Sequence, residues 1–190
     1  MRQLFDSMKR HASEAGGSIA VSDQHGQLSR RELFARVTAL AADLKGQPQT
    51  IGIYAPNGLA WIIAQLACAL AGKIAVPLPT FFSAAQLGHV VRDASVDLIL
   101  ASEQTAALAL QSGVPTNVID IHRVGAGLPD MIDGFGQIIY TSGSTGQPKG
   151  VRHQSGQNRM VGRRDRARVI GETPLSPTIE GCAANGEVNV

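Results

Sequence analysis

The chain has 190 residues, 44% of them hydrophobic and 17% charged, which leaves room for one domain with a buried core and excludes disorder along the whole length. Seventeen Lys plus Arg against 15 Asp plus Glu give a net charge of +2, too small to mark a nucleic-acid surface. Cys68 and Cys182 stand far apart with neither metal-ligand nor disulfide spacing, so a reducing, cytoplasmic setting is expected and no metal site.

Near the start, Phe5, Met8 and Ala12 recur at helical spacing and Gly16-Gly17 supplies a stop, predicting a helix over 5–15. Arg2, Asp6, Lys9 and Arg10 interrupt that stretch, so it lacks the apolar run of a secretory signal. Residues 18–23 read as a strand entering a polar turn at 24–27, and Ser29-Arg30-Arg31-Glu32 is a capping box opening a helix through Leu33, Val37, Leu40 and Leu44. A short apolar strand at 51–54, a turn at Pro56-Asn57-Gly58, a helix over 59–71 and a strand at 74–78 follow. The run 59–78 approaches membrane-spanning length, but Gly72, Lys73 and Pro77 break it, so a buried helix and strand are expected instead of a span.

Ser83-Ala84-Ala85-Gln86 is a second capping box, before a helix with Leu87, Val90 and Val91 on one side. A strand at 97–101, a helix over 103–110, a strand at 117–121, a loop at 134–136 and a strand at 137–140 complete the pattern. Strands alternate with helices, which predicts an α/β fold with a mainly parallel sheet and flanking helices, with ligands beyond the carboxyl ends of the strands. Trp61, Phe81 and Phe82 are read as core packing and a loop anchor, and Cys68, among Ala67, Ala69 and Leu70, as a small buried hydrophobe.

One segment carries chemistry. Residues 138–151, IIYTSGSTGQPKGV, form an apolar strand ending in a loop of hydroxyls and glycines closed by a lysine. Gly143, Gly146 and Gly150 allow close backbone approach to an anion, Thr141, Ser142, Ser144 and Thr145 bring hydroxyl donors, and Lys149 brings a full charge. Phosphate is the ligand this set suits. The common P-loop is disfavoured, because Pro148 precedes Lys149 and Gly150 follows it; no GxGxxG dinucleotide fingerprint is present either.

The order YTSGSTGQPKGV, residues 140–151, resembles the phosphate-loop signature of the adenylate-forming, or AMP-binding, enzymes: acyl- and aryl-CoA synthetases, firefly luciferases and peptide-synthetase adenylation domains. The stretch 51–102, with its "VPL" strand, is similar to that family's early region. The resemblance covers about residues 20–157 and is nearest to acyl-CoA synthetases, whose segment after the lysine GVRHQSG resembles. It implies the amino-terminal part of that family's large domain, a partial AMP-binding domain at 1–157. It also implies a reaction in which a carboxylate attacks the α-phosphate of ATP, pyrophosphate leaves, and the thiol of coenzyme A attacks the mixed anhydride, with Mg2+ bridging phosphate oxygens. By resemblance Thr141, Ser142, Gly143, Ser144, Thr145, Gly146 and Lys149 hold the β- and γ-phosphates, Lys149 carries the catalytic charge, and His153 lies on the strand leading toward the acyl pocket. The acid itself is not specified; the resemblance leans to fatty or aryl acids.

The family's adenine pocket, magnesium-holding acid, ribose-binding aspartate and small carboxy-terminal domain lie downstream of the phosphate loop, and their motifs are not recognised here. From residue 158 the texture changes: Arg159, Arg163, Arg164, Arg166 and Arg168 precede the weakly patterned GETPLSPTIEGCAANGEVNV. Asp165, Glu172, Glu180 and Glu187 argue against a basic nucleic-acid arm. Residues 158–190 are expected to be a divergent, disordered tail, of the kind a shifted reading frame produces. The expectation is therefore a truncated acid–thiol ligase, inactive alone and in need of a complementing polypeptide. The alternatives are a noncatalytic nucleotide or polyphosphate binder and an inert interaction fragment.

Overall fold

The computed structural model describes residues 1–125, 132, 134–142, 148–154 and 168–170. In chain order, α1 (Arg2–Glu14), β1 (Ile19–Asp23), β2 (Gly26–Ser29) and α2 (Arg30–Asp43) precede β3 (Thr50–Tyr54), α3 (Leu59–Leu70) and β4 (Ile74–Pro77). Next come α4 (Ala84–Asp93), β5 (Leu98–Ala101), α5 (Glu103–Leu110), β6 (Thr116–Val118), β7 (Gly136–Ser142), β8 (Pro148–Gln154) and β9 (Arg168–Ile170). The hairpin β1-β2 stands apart from a seven-stranded sheet ordered β6-β5-β3-β4-β7-β8-β9.

From β6 to β7 every pairing is parallel, whereas β8 and β9 run antiparallel. The α/β fold with a mostly parallel sheet is thus as expected. Both anticipated capping boxes form: the Ser29 hydroxyl accepts from Glu32 N–H while Glu32 accepts from Ser29 N–H, and Ser83 with Gln86 repeats the exchange. Each satisfies two donors that a helix start would otherwise leave unpaired.

The sheet separates two cores. Ile51, Ile53, Ala75, Leu98 and Leu100 pack with Phe5, Val37, Ile63 and Ala67 of α1, α2 and α3. Their alternate neighbours Tyr54, Val76, Ile99, Ala101, Ile138 and Tyr140 pack with Leu87, Val90, Val91 and Ala109 of α4 and α5. This alternation follows from the two-residue side-chain period of a strand, and each fully buried Leu or Ile contributes about 1.5–3 kcal/mol. Trp61 packs against the first core and Phe82 is buried in the second, while Phe81 stands 80% exposed, edge-on to Phe82 with ring centroids 5.3 Å apart.

Several elements differ from the sequence reading. The polar turn is only Gln24-His25, because Gly26 to Ser29 pair back onto β1 and bury Leu28. Strand β6 ends at Val118; beyond it the Asp120 carboxylate accepts from the His122 N–H at 2.8 Å and turns the chain. Within the expected disordered tail, Arg168–Ile170 pair with β8 as β9.

Candidate functional site

Of the residues expected from the sequence to bind phosphate, Thr141, Ser142 and Lys149 lie in the β7-β8 hairpin, on the two sides of residues 143–147. The register pairs Ser142 with Pro148, Thr141 with Lys149, Tyr140 with Gly150 and Gln137 with His153. Paired residues of an antiparallel ladder share a face, and Tyr140 and Ile138 are buried toward α4, 5% and 4% exposed. Thr141, Lys149 and His153 therefore lie on the opposite face, where all three are exposed. Thr141 and Lys149 are direct neighbours at the loop's mouth. His153 is about 13 Å along the strand from Lys149 at a rise of 3.3 Å per residue, toward the end of the hairpin remote from the loop. Gly143, Ser144, Thr145 and Gly146 lie outside the described residues, as does the side chain of Ser142.

The hairpin's inner face is built for close packing. A Cβ on Gly150 would stand 2.8 Å from Cζ of Tyr140, so glycine leaves the space that the tyrosine ring fills. The Tyr140 hydroxyl donates to Oδ2 of Asp93 on α4 at 2.5 Å. Burial, with the hydrogen bond to Asp93 and the carboxylate's charge adding to it, pushes the Tyr140 phenol well above its ordinary value near 10.0. One turn earlier on α4, Nε2 of His89 donates to the Pro148 carbonyl at 3.3 Å. No residue pattern read from the sequence singled out His89 or Asp93; the signal was their four-residue spacing on one helix facing the hairpin stem.

A concavity of about 680 Å³ opens at the carboxyl ends of β3, β5 and β6, between Pro56-Asn57-Gly58 and Ser102-Glu103-Gln104. It lies where the sheet order reverses direction from β3 to β4 and from β3 to β5, the crevice where α/β sheets commonly take ligands. Its electrostatics do not suit phosphate. Oδ2 of Asp23 already accepts the Leu59 N–H at the start of α3, at 2.9 Å, so an internal carboxylate occupies the place an anion would take. Glu103 and Asp120 add two further carboxyl groups to its lining. The Asp23 carboxyl is held below its ordinary value, first by the Leu59 N–H, then by the His25 N–H, the His25 charge and the Gly26 N–H.

Two further reactive side chains, Cys68 and Lys73, are buried. Cys68 is buried in the first core, and desolvation, against a smaller opposing effect of the Lys73 charge, pushes its thiol up to about 12. Lys73 is itself buried, with Nζ donating to the Gln47 carbonyl at 2.6 Å. Among the described residues, no group of three or more His, Cys, Asp or Glu is placed to hold a metal ion. None of the described helices is long and apolar enough to cross a membrane.

A parallel sheet reversing at β3, continued through β7 into an antiparallel hairpin, is the amino-terminal part of the adenylate-forming enzyme fold. O-succinylbenzoate CoA synthetase (MenE) of Bacillus subtilis, in complex with AMP, matches with a TM-score of 0.64 at 24% identity, over 78% of this chain and 42% of that one. VinN matches with a TM-score of 0.62 at 24% identity, over 79% and 45%. In sequence, the family model of AMP-binding enzymes matches residues 8–165, and the chain belongs to that family. It is 33% identical over 159 residues to mitochondrial malonate–CoA ligase ACSF3 of Homo sapiens, covering 72% of this chain and 28% of that protein. It is 30% identical over 176 residues to syringomycin synthase SyrB1 of Pseudomonas syringae pv. syringae, covering 82% and 26%. The chain thus spans about a quarter of the length of these curated relatives.

Proposed function

We propose that this chain is the polyphosphate-gripping part of an ATP-dependent acid–thiol ligase, which joins a carboxylic acid to AMP and then to coenzyme A. The observation that carries this reading is the pairing of Thr141 with Lys149 on the open face of a hairpin whose other face is packed against α4. That arrangement presents a hydroxyl and a full positive charge side by side at the mouth of the hydroxyl- and glycine-rich loop 143–147. Fixed donors of this kind stabilise the charge that gathers on departing pyrophosphate without reorganising during the reaction.

Each residue then has a role. Lys149 neutralises the β- and γ-phosphates, Thr141 donates to a phosphate oxygen, and Ser142, Ser144, Thr145 and the N–H groups around Gly143 and Gly146 complete the cradle. Magnesium would arrive with the nucleotide and supply positive charge that offsets the repulsion among its phosphates; the hydroxyl oxygens of Thr141, Ser142, Ser144 and Thr145 are the groups of this loop that would face it. His153, on the same face and away from the loop's mouth, is read as facing the acyl side. A cytoplasmic setting, a fatty or aryl acid substrate and a complementing polypeptide supplying the adenine, ribose and carboxy-terminal contacts belong to the same proposal.

Thermal unfolding of the purified chain with and without Mg-ATP tests the reading, since a ligand that binds only the folded state raises the midpoint. A rise in the wild type that Lys149→Ala abolishes supports it; no rise at millimolar Mg-ATP overturns it. Pyrophosphate release with a panel of carboxylic acids and coenzyme A then separates a ligase from a noncatalytic polyphosphate binder.

A further inference from the structure

Helix α4 does more than cover the sheet. Two of its polar side chains, His89 and Asp93, are one turn apart, about 6 Å along the axis. They reach different strands of the same hairpin: Asp93 accepts from Tyr140 on β7, and His89 donates to the carbonyl of Pro148 on β8. Pro148 is half of the pair that closes the loop, and Tyr140 directly precedes Thr141. One helix thus pins both legs of the hairpin within three residues of the loop.

These contacts are not what core packing alone would select. Phenylalanine would fill the space beside Gly150 as well as tyrosine, and it would spare the buried site a hydroxyl that must find a partner. Asp93 is exposed and is the last residue of α4, where the partial negative charge of a helix end disfavours a carboxylate. The arrangement retains a local electrostatic penalty and a buried hydroxyl in exchange for a fixed link to the strand. His89 is half-buried and commits a ring N–H to the backbone carbonyl of Pro148, the first residue of β8.

We infer that His89 and Asp93 are positioning residues for the phosphate loop, holding the stem of β7-β8 so that Thr141 and Lys149 meet a single polyphosphate. The inference rests on the ligase reading given above. It assigns to α4 the second layer of the phosphate site: the residues that touch phosphate are on the loop and its outer face, and the residues that fix their separation are on the helix behind it. Tyr140 is the transmitting side chain on one leg and the Pro148 carbonyl is the transmitting group on the other.

The test is calorimetric titration of Mg-ATP, and separately of inorganic tripolyphosphate, into the full chain and its variants. Asp93→Ala, Tyr140→Phe and His89→Ala should each weaken binding about fivefold or more, in line with the loss of one hydrogen bond. Asp93→Asn, which keeps an acceptor, and His89→Gln, which keeps a donor, should recover most of the affinity. Combining Asp93→Ala with Tyr140→Phe should add little, because both remove the same bond, whereas adding His89→Ala should weaken binding further. A merely structural role would lower the unfolding midpoint of the alanine variants with affinity intact, and that result overturns the inference while leaving the ligase reading standing. Amide hydrogen exchange of the free chain separates the two failures: faster exchange at Thr141 and Lys149 in Asp93→Ala and His89→Ala, with β3 and β5 unchanged, is expected. Unchanged exchange overturns the inference whether or not the wild type binds ATP.

Discussion

Gly150 and Tyr140 occupy one volume between them: a single carbon added to Gly150 would come within 2.8 Å of Cζ and 3.0 Å of the hydroxyl oxygen of Tyr140. The glycine next to Lys149 is thus a packing requirement of the strand as much as a feature of the loop. Through the Tyr140 hydroxyl the same contact reaches Asp93 on α4, so the hairpin, its glycine and the helix form one mechanical unit.

Gly150→Ala should therefore destabilise the chain by about 1–3 kcal/mol, the usual range for overpacking a tight site. The ring must move to admit the methyl group, and its link to Asp93 stretches. Urea unfolding followed by far-UV circular dichroism measures the loss, and a midpoint equal to wild type would show that the ring has room that the structure does not give it.

Alkaline pH should weaken the fold through Tyr140 and Cys68. Both groups titrate higher when folded, Tyr140 well above 10.0 and Cys68 raised from 9.0 to about 12, so the folded state holds their protons more tightly. Their stabilising contribution is complete below the unfolded values and declines as pH rises from about 9 toward 12. Unfolding midpoints across this window should fall less steeply in Tyr140→Phe; parallel wild-type and variant curves would contradict the assignment.

Acid should act through Asp23 and Glu32. Asp23 is lowered mainly by the Leu59 N–H, and Glu32 is lowered mainly by the Ser29 N–H, then by its hydroxyl and by Arg36. Depressed carboxyl groups stabilise above their unfolded values, 3.8 and 4.5, and the contribution disappears as pH falls through the lower folded values. Asp23→Asn and Glu32→Gln should each flatten the acid limb of the stability curve, read as midpoint against pH between 5 and 2.

The Cys68 thiol should be silent in the native chain. With Cys182 replaced by serine, the folded protein should leave a thiol reagent such as Ellman's unreacted at pH 8, and urea should release one equivalent. Rapid reaction before unfolding would show that the core around α3 opens far more readily than its packing implies.

Much of this arrangement was legible in the residues, for identifiable reasons. Ser29-Glu32 and Ser83-Gln86 announced two helix starts because the reciprocal bond needs only those side chains at that spacing. Helix α5 begins on a less legible device: Thr105 accepts the Ser102 N–H and donates to the Tyr54 carbonyl, a contact across the sheet that no local pattern encodes. Strand β8, PKGVRHQ, has little intrinsic strand character; it is extended because Gln137 to Ser142 offer it a ladder, and its antiparallel direction follows from the short loop. The expectation of phosphate binding comes from the loop's order of glycines, hydroxyls and lysine alone. The loop's support could not be read that way, since His89 and Asp93 approach it only after α4 has folded onto the sheet.

The central claim is that the outer face of the β7-β8 hairpin grips the terminal phosphates of ATP. Phosphorus-31 resonance of Mg-ATP titrated with the chain tests it most directly. The account predicts that the β- and γ-phosphorus signals shift and broaden more than the α signal with wild type, and that all three stay unmoved with Lys149→Ala. Equal perturbation by both proteins, or none by either, would contradict it.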